Sequence, residues 1–189
     1  MFEFMTVREL YEMVMSGAEF ETESLEYVEL DGWVRTNRDN GKVGFLALND
    51  GTYFRNCQIV YLKETLEDYD TIKHISTGSA IRVLGKFKLT PESKQPFEIE
   101  ATQIVVEGAC DDDFPLQKKR HSFEYMREIP HLRPRANTFY AIFRLRSVLS
   151  MAIHEFFQSQ GFVYVHTPLI TGNDGEGAGE MFRATTIDN

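Results

Sequence analysis

The side chains with most chemistry to offer are a block of cations in mid-chain and the acids of a glycine-rich tail. Between Lys118 and Arg146 stand eight Lys or Arg residues against only Glu124 and Glu128, a local balance of +6 in a 189-residue chain whose net charge is −9. Such a block is either a solvated, salt-bridged face or a contact for phosphates. The overall acidity argues against indiscriminate nucleic-acid binding, so any phosphate contact has to be local. Residues 171–182, Thr-Gly-Asn-Asp-Gly-Glu-Gly-Ala-Gly-Glu-Met-Phe, combine four glycines with three acids. Loops that cradle phosphate are Gly-rich but not acidic, so this one does not read as such a cradle. Its glycines suit a loop that opens and closes. Cys57 and Cys110 are far apart and lack metal-ligand spacing, and both read as reduced thiols.

The elements that must position these residues follow from patterning. Hydrophobic residues make up 42% and aromatics 13% of the chain, enough for a packed core. No run of about 18 apolar residues exists, so no membrane span is expected, and the first residues do not read as a secretory signal. Thr6-Val-Arg-Glu9 is a capping box opening a short helix, with Val7, Leu10, Tyr11 and Val14 on one face and Gly17 as its stop. Period-two runs predict strands over residues 27–35, 44–48, 54–61, 80–89 and 97–106, with Gly32 as a bend or bulge and turns at Asn40-Gly41 and Asp50-Gly51. Residues 62–74 read as a polar helix. Three strands, a helix and two strands is the order of an OB-fold barrel, with Ile81, Val83, Ile99 and Ala101 facing inward and Trp33 assigned to packing. A linker follows at 110–115, then a short helix over 122–129 ended by Pro130. Asn137 reads as the N-cap of a long helix to Gln160 whose apolar stripe is Ile142, Leu145, Leu149, Ala152, Ile153 and Phe156. Gly161 ends it, and 162–167 reads as a strand.

Gly32-Trp-Val-Arg-Thr-Asn-Arg38, Gly44-Phe-Leu-Ala-Leu-Asn-Asp-Gly51 and Gln58 resemble the anticodon-binding barrel of the class IIb aminoacyl-tRNA synthetases, the asparagine, aspartate and lysine enzymes. The resemblance implies that Phe45 stacks on the central anticodon base, that Gln58 hydrogen-bonds its edge, that Arg38 lies against phosphates or loop bases, and that Glu100 meets the first anticodon base. Taken alone, Phe45 reads as a core residue and Gln58 as a solvated strand residue; the family pattern is what reverses this. Residues 115–124 and 131–137 are similar to the hinge of the asparagine branch, which lies against the tRNA body. Arg133 and Arg135 could instead pair with acids of the catalytic domain. The long helix and following segment resemble motif 1, which in this class builds the dimer interface with Pro168 near the partner's active site. Residues 171–182 resemble the mobile substrate loop, which places Glu176 on the ammonium group of the amino acid.

The expected architecture is therefore β plus α/β: a five-stranded barrel domain with its N-terminal helix over 1–108, a hinge over 109–136, and over 137–189 the opening helix, strand and loop of a class II catalytic domain. The implied activity is the ATP-dependent joining of asparagine to tRNA(Asn), with Mg2+ as cofactor, a homodimer through motif 1, and a cytoplasmic location. In the family the motif 2 and motif 3 arginines and the magnesium ligands lie beyond the position of Asn189. The chain is thus expected to hold no catalytic residue, to bind no cofactor alone, and to be inactive by itself. Other readings are a non-catalytic tRNA-binding or dimerisation module, or an aspartate–tRNA ligase, against which the hinge and loop sequences speak.

Overall fold

The computed structural model describes residues 3–17, 27–173, 175, 177, 182 and 185. They fall into two units, Met1–Phe143 and Arg144–Asn189. In the first, the hydroxyl of Thr6 accepts from the Glu9 N–H at 3.2 Å, and the Glu9 carboxylate accepts from the Thr6 N–H at 2.7 Å. This is the reciprocal capping box that the sequence predicts. Helix α1 then runs Val7–Met15 and buries Val7, Leu10 and Tyr11. The Thr6 backbone N–H, then its hydroxyl, holds the Glu9 carboxyl below its ordinary value. That support is present above the ordinary glutamate value and is lost as the pH falls through the lowered one. Paired thermal melts should show Thr6→Ala lowering Tm by several degrees at neutral pH and by less in acid.

Strand β1 (Glu3–Phe4) pairs in parallel with the long β2 (Tyr27–Asp39). One edge of β2, from Tyr27 to Trp33, pairs with β5 (Ala80–Leu89); from Trp33 to Asp39 it pairs with β3 (Val43–Asn49). Strand β4 (Cys57–Leu62) joins β3, and β6 (Phe97–Gly108) lies between β4 and β5. The β2–β5 ladder closes the sheet, so β2 to β6 form a five-stranded barrel. The changeover in β2 needs a small residue: a Cβ on Gly32 would meet Leu48 Cδ2 at 2.7 Å. The β2–β3 register slips between Val34 and Thr36, leaving Arg35 as the bulged residue. The alternating residues Leu46, Leu48, Ile81, Val83, Ile99 and Ala101 are buried, and α1 packs onto the same core.

Several sequence expectations are corrected. Residues 62–74 are not one helix: turns occupy most of the segment and only α2 (Tyr69–Ile72) is helical. Tyr69 and Ile72 turn into the core, so apolar contact and not helical propensity fixes this segment. The first strand continues to Asp39 because it serves two ladders, whereas β4 begins only at Cys57. Trp33 packs outside the core: it is 40% exposed, and the Arg135 guanidinium lies 4.9 Å from its ring centroid. After α3 (Phe123–Glu128), capped by Ser122, and a 3-10 turn at Arg133–Arg135, helix α4 spans Asn137–Ser159. Extended Ala136 precedes it, so Asn137 is its first helical residue and not its N-cap.

Cys57 is buried, and that burial drives its thiol far above the ordinary value; Cys110 is half-buried. An alkylating reagent followed by mass spectrometry should therefore modify Cys110 first and Cys57 only as the barrel unfolds.

In the second unit the helical turns expose their apolar stripe: Leu145 is 65% exposed, and Leu149, Ile153 and Phe156 are exposed as well. Residues 162–168 form no strand, since no neighbouring strand offers them a ladder. Pro168 is exposed. Glu176 lies outside the described residues.

Candidate nucleic-acid interface

Cross-strand partners on a sheet point to the same side, so the register builds the outer face row by row. Arg38 of β2 pairs with Phe45 of β3, Phe45 with Val60 of β4, Val60 with Glu100 of β6, and Glu100 with Lys86 of β5. In the adjoining row Ala47 pairs with Gln58. The four barrel residues singled out by the sequence thus share one exterior surface. The core partners alternate with them: Leu46, Ile59 and Ile99 point inward.

Phe45 is 37% exposed, with its ring outside the barrel core. Arg38, Asp39, Asn40, Phe45 and Gln58 line an open cleft of about 320 Å³. Its wall is the β2–β3 turn, which is fixed by its own side chains. Asp39 Oδ1 accepts from the Gly41 N–H at 2.9 Å, and Asn40 Oδ1 from the N–H groups of Lys42 at 3.0 Å and Val43 at 2.9 Å. Gly41 has φ 90°, which glycine adopts without strain. The Tyr69 hydroxyl donates to Asp39 Oδ2, tying the wall to the core. Behind it, Tyr61 donates to Asn37 Oδ1 at 2.7 Å, and Asn37 Nδ2 donates to Ile72 O at 2.8 Å. Burial, then the nearby Asp39, pushes the Tyr61 phenol up to about 12, so it stays a neutral donor.

On the cleft floor Gln58 Nε2 donates to Glu98 Oε2 at 3.3 Å. This bond sets the amide orientation and leaves Oε1 as the free acceptor. Glu100 lies 3.9 Å from Lys88 Nζ, with both side chains substantially exposed, a weak pairing that leaves the carboxylate open to other donors. Sequence reasoning missed Asp39 and Asn40 as the wall and Glu98 as the partner of Gln58. The signal for Glu98 was present, since Glu98 and Glu100 share one face by alternation.

The hinge cations divide. Arg127 sits 3.9 Å from Glu124. Arg133 lies over the rings of Phe139 and Phe143, at 5.3 and 5.7 Å, and Arg135 over Trp33. Both rest on aromatic faces, not on acids, within the first unit. Among the described residues no three His, Cys, Asp or Glu side chains cluster so as to hold a metal ion.

An exposed aromatic, an amide and an arginine on one barrel face suit an unpaired nucleotide, and the similarity of the barrel is to nucleic-acid-binding domains. The family of OB-fold nucleic acid binding domains matches residues 28–107, and the class II tRNA synthetases of the D, K and N type match residues 122–188. The asparagine–tRNA ligase of Alkaliphilus oremlandii is 57% identical over 161 residues, 85% of this chain and 35% of its own length. That of Acetivibrio thermocellus is 60% identical over 157 residues, 83% of this chain and 34% of its own. The chain belongs to the asparagine–tRNA ligase family. It spans about a third of the length of the curated relatives it matches. Among solved structures, asparaginyl-tRNA synthetase from Pyrococcus horikoshii in complex with asparaginyl-adenylate superposes with a TM-score of 0.69 at 28% identity, covering 77% of this chain and 34% of that one. An aspartyl-tRNA synthetase from Entamoeba histolytica shares the fold, with a TM-score of 0.60 at 24% identity over 79% of this chain and 39% of that one. Within the asparagine–tRNA ligase family this chain therefore carries the barrel and an adjoining part of the class II synthetase region.

Proposed function

We propose that this chain carries the anticodon-reading part of an asparagine–tRNA ligase, an enzyme that activates asparagine with ATP and Mg2+ and transfers it to tRNA(Asn). The supporting observation is the convergence of Arg38, Phe45 and Gln58 on one open cleft of the barrel exterior. Residues 1–108 form the anticodon domain, 109–136 the hinge, and 137–189 the opening of the catalytic domain. Phe45 stacks on the central anticodon base, and Arg38 takes a neighbouring phosphate. Gln58 reads the uracil edge. With its Nε2 held by Glu98, its Oε1 accepts from uracil N3–H, whereas cytosine presents a second acceptor there and is rejected. The Glu100 carboxylate accepts from N1–H and N2–H of a guanine at the first position. Glu176 takes the ammonium group of asparagine. The exposed stripe of α4 and Pro168 belong to a homodimer interface, and the enzyme works in the cytoplasm.

Fluorescence anisotropy with anticodon hairpins tests this reading. The wild-type chain should bind a hairpin with central uracil about five- to tenfold more tightly than one with central cytosine, as for one good hydrogen bond. Glu98→Ala should narrow that ratio, and Gln58→Leu should abolish it. Equal affinity of the wild-type chain for both hairpins would overturn the assignment of Gln58.

A further inference from the structure

The first unit contains a second and larger cavity, about 1170 Å³, between the barrel rim and the hinge. Its charge is one-sided. Arg35, Lys118, Lys119, Arg120 and Arg135 line it, against the single acid Glu124. None of these five cations pairs with a carboxylate among the described residues, while Glu124 already has Arg127 at 3.9 Å. Arg35 is the bulged residue of β2, released from the β3 ladder, and its hydrogen bond to Asn137 Oδ1 is long, at 3.4 Å. Burial, then the charge of Arg135, lowers its affinity for its own proton. Arg35 and Arg135 line one cavity in which Glu124 is the only acid, so their like charges repel, and an anion bound there relieves that repulsion. The first turn of α4, which carries no acid, also borders the cavity.

We infer that the cavity between the barrel rim and the hinge is a phosphate-binding site in which Arg35 and Arg135 clamp the anion, with Lys118, Lys119 and Arg120 at its mouth. Guanidinium forks match the oxygens of an oxyanion in pairs, and phosphate is the oxyanion that an RNA backbone supplies. The group comes either from the backbone of an RNA seated on the barrel face or from free phosphate. Arg35 follows Trp33 on β2 and precedes Arg38 by three residues, about 10 Å along the strand. An RNA held at the anticodon cleft therefore passes within reach of it. The RNA source rests on the proposed tRNA reading; the free-anion source does not.

Two measurements on the full chain decide it. Trp33 is the only tryptophan in the chain, borders the cavity and carries Arg135 on its ring. Its fluorescence should change saturably on titration with inorganic phosphate, beyond the change produced by sodium chloride at equal ionic strength. Arg35→Gln and the exposed-site variant Arg135→Gln should each remove that excess, provided their melting curves match wild type. In the second measurement, affinity for the tRNA(Asn) anticodon hairpin is followed against salt. Arg35→Gln should reduce the slope of log affinity on log salt by about 1, whereas Phe45→Ala should lower affinity and leave the slope in place. A phosphate effect alone marks a small-anion site, and a changed slope marks the RNA backbone. A response that follows ionic strength only, with no change of slope in either arginine variant, overturns the site. If no hairpin binds at all, the tRNA reading fails and the phosphate titration alone judges the cavity.

Discussion

Phe45→Ala is expected to weaken binding of the tRNA(Asn) anticodon hairpin about 5- to 150-fold while leaving Tm unchanged. The range follows from the roughly 1–3 kcal/mol that one base–aromatic stack contributes, at about 1.4 kcal/mol for each tenfold change in affinity. Stability should hold because the ring stands outside the core, with Leu46 and Leu48 supplying the inward contacts of β3. Phe45→Tyr and Phe45→Trp keep a stacking face and should retain most of the affinity. Titration of labelled hairpin against the three variants, with melts run in parallel, checks this. A loss of affinity that tracks a loss of Tm would make Phe45 a structural residue and not a reader of bases.

The largest stability effect should come from the residue beside it. Gly44 lies flat against the ring of Tyr61: a Cβ there would stand 1.9 Å from Tyr61 Cζ and 2.3 Å from its hydroxyl oxygen. Tyr61 is fully buried and cannot yield without breaking its bond to Asn37, which in turn holds Ile72 O. Gly44→Ala therefore both overpacks the core and orphans a buried polar network. Overpacking costs about 1–3 kcal/mol, and an unsatisfied buried polar group about 1–3 kcal/mol more. For a domain of this size that corresponds to a fall in Tm of roughly 10 °C or more. Thermal denaturation followed by circular dichroism measures it. Tyr61→Phe separates the two causes, since it removes the hydroxyl without overpacking the core and should cost only the polar part, about 1–3 kcal/mol. A Gly44→Ala protein melting within a degree or two of wild type would show that the ring has room to move.

Much of the barrel was legible because alternation is a strict code. Ile81 and Val83, or Ile99 and Ala101, could face only one way once their strands were recognised, and both pairs are buried. The capping box at Thr6 and Glu9 was equally plain, being a local device with a fixed spacing. Residues 62–74 were harder. Leu66, Tyr69 and Ile72 recur at threes, which imitates a helical face, yet that spacing is met by successive turns that drop each side chain onto the core. The late start of β4 was hidden for a related reason. The loop before it is held by Asn49 Nδ2, which donates to Tyr53 O at 3.3 Å and to Asn56 Oδ1 at 3.0 Å, and such side-chain ties leave no period in the sequence.

The cleft was legible only in part. A closed barrel has two faces, and apolar content does not say whether Phe45 lies inside or out; the register of β2, β3 and β4 does. That register also brings Glu98 to Gln58, a pairing 40 residues apart in the chain that no local pattern announces. The cavity beside Arg35 depends on a hinge that folds back across the barrel rim, a long-range event with no short-range marker.

The slip in β2 sets which side chain shares the exterior row with Phe45. Had the ladder continued in step past Val34, Asn37 would have come opposite Phe45, and Arg38 would have been turned toward the barrel lumen. The bulge at Arg35 is thus what keeps Arg38 in the exterior row with Phe45 at this length of β2. Deleting Arg35 alone would straighten the strand yet keep Arg38 beside Phe45, so the contributions of Arg35 and Arg38 can be separated by shortening the chain as well as by substitution.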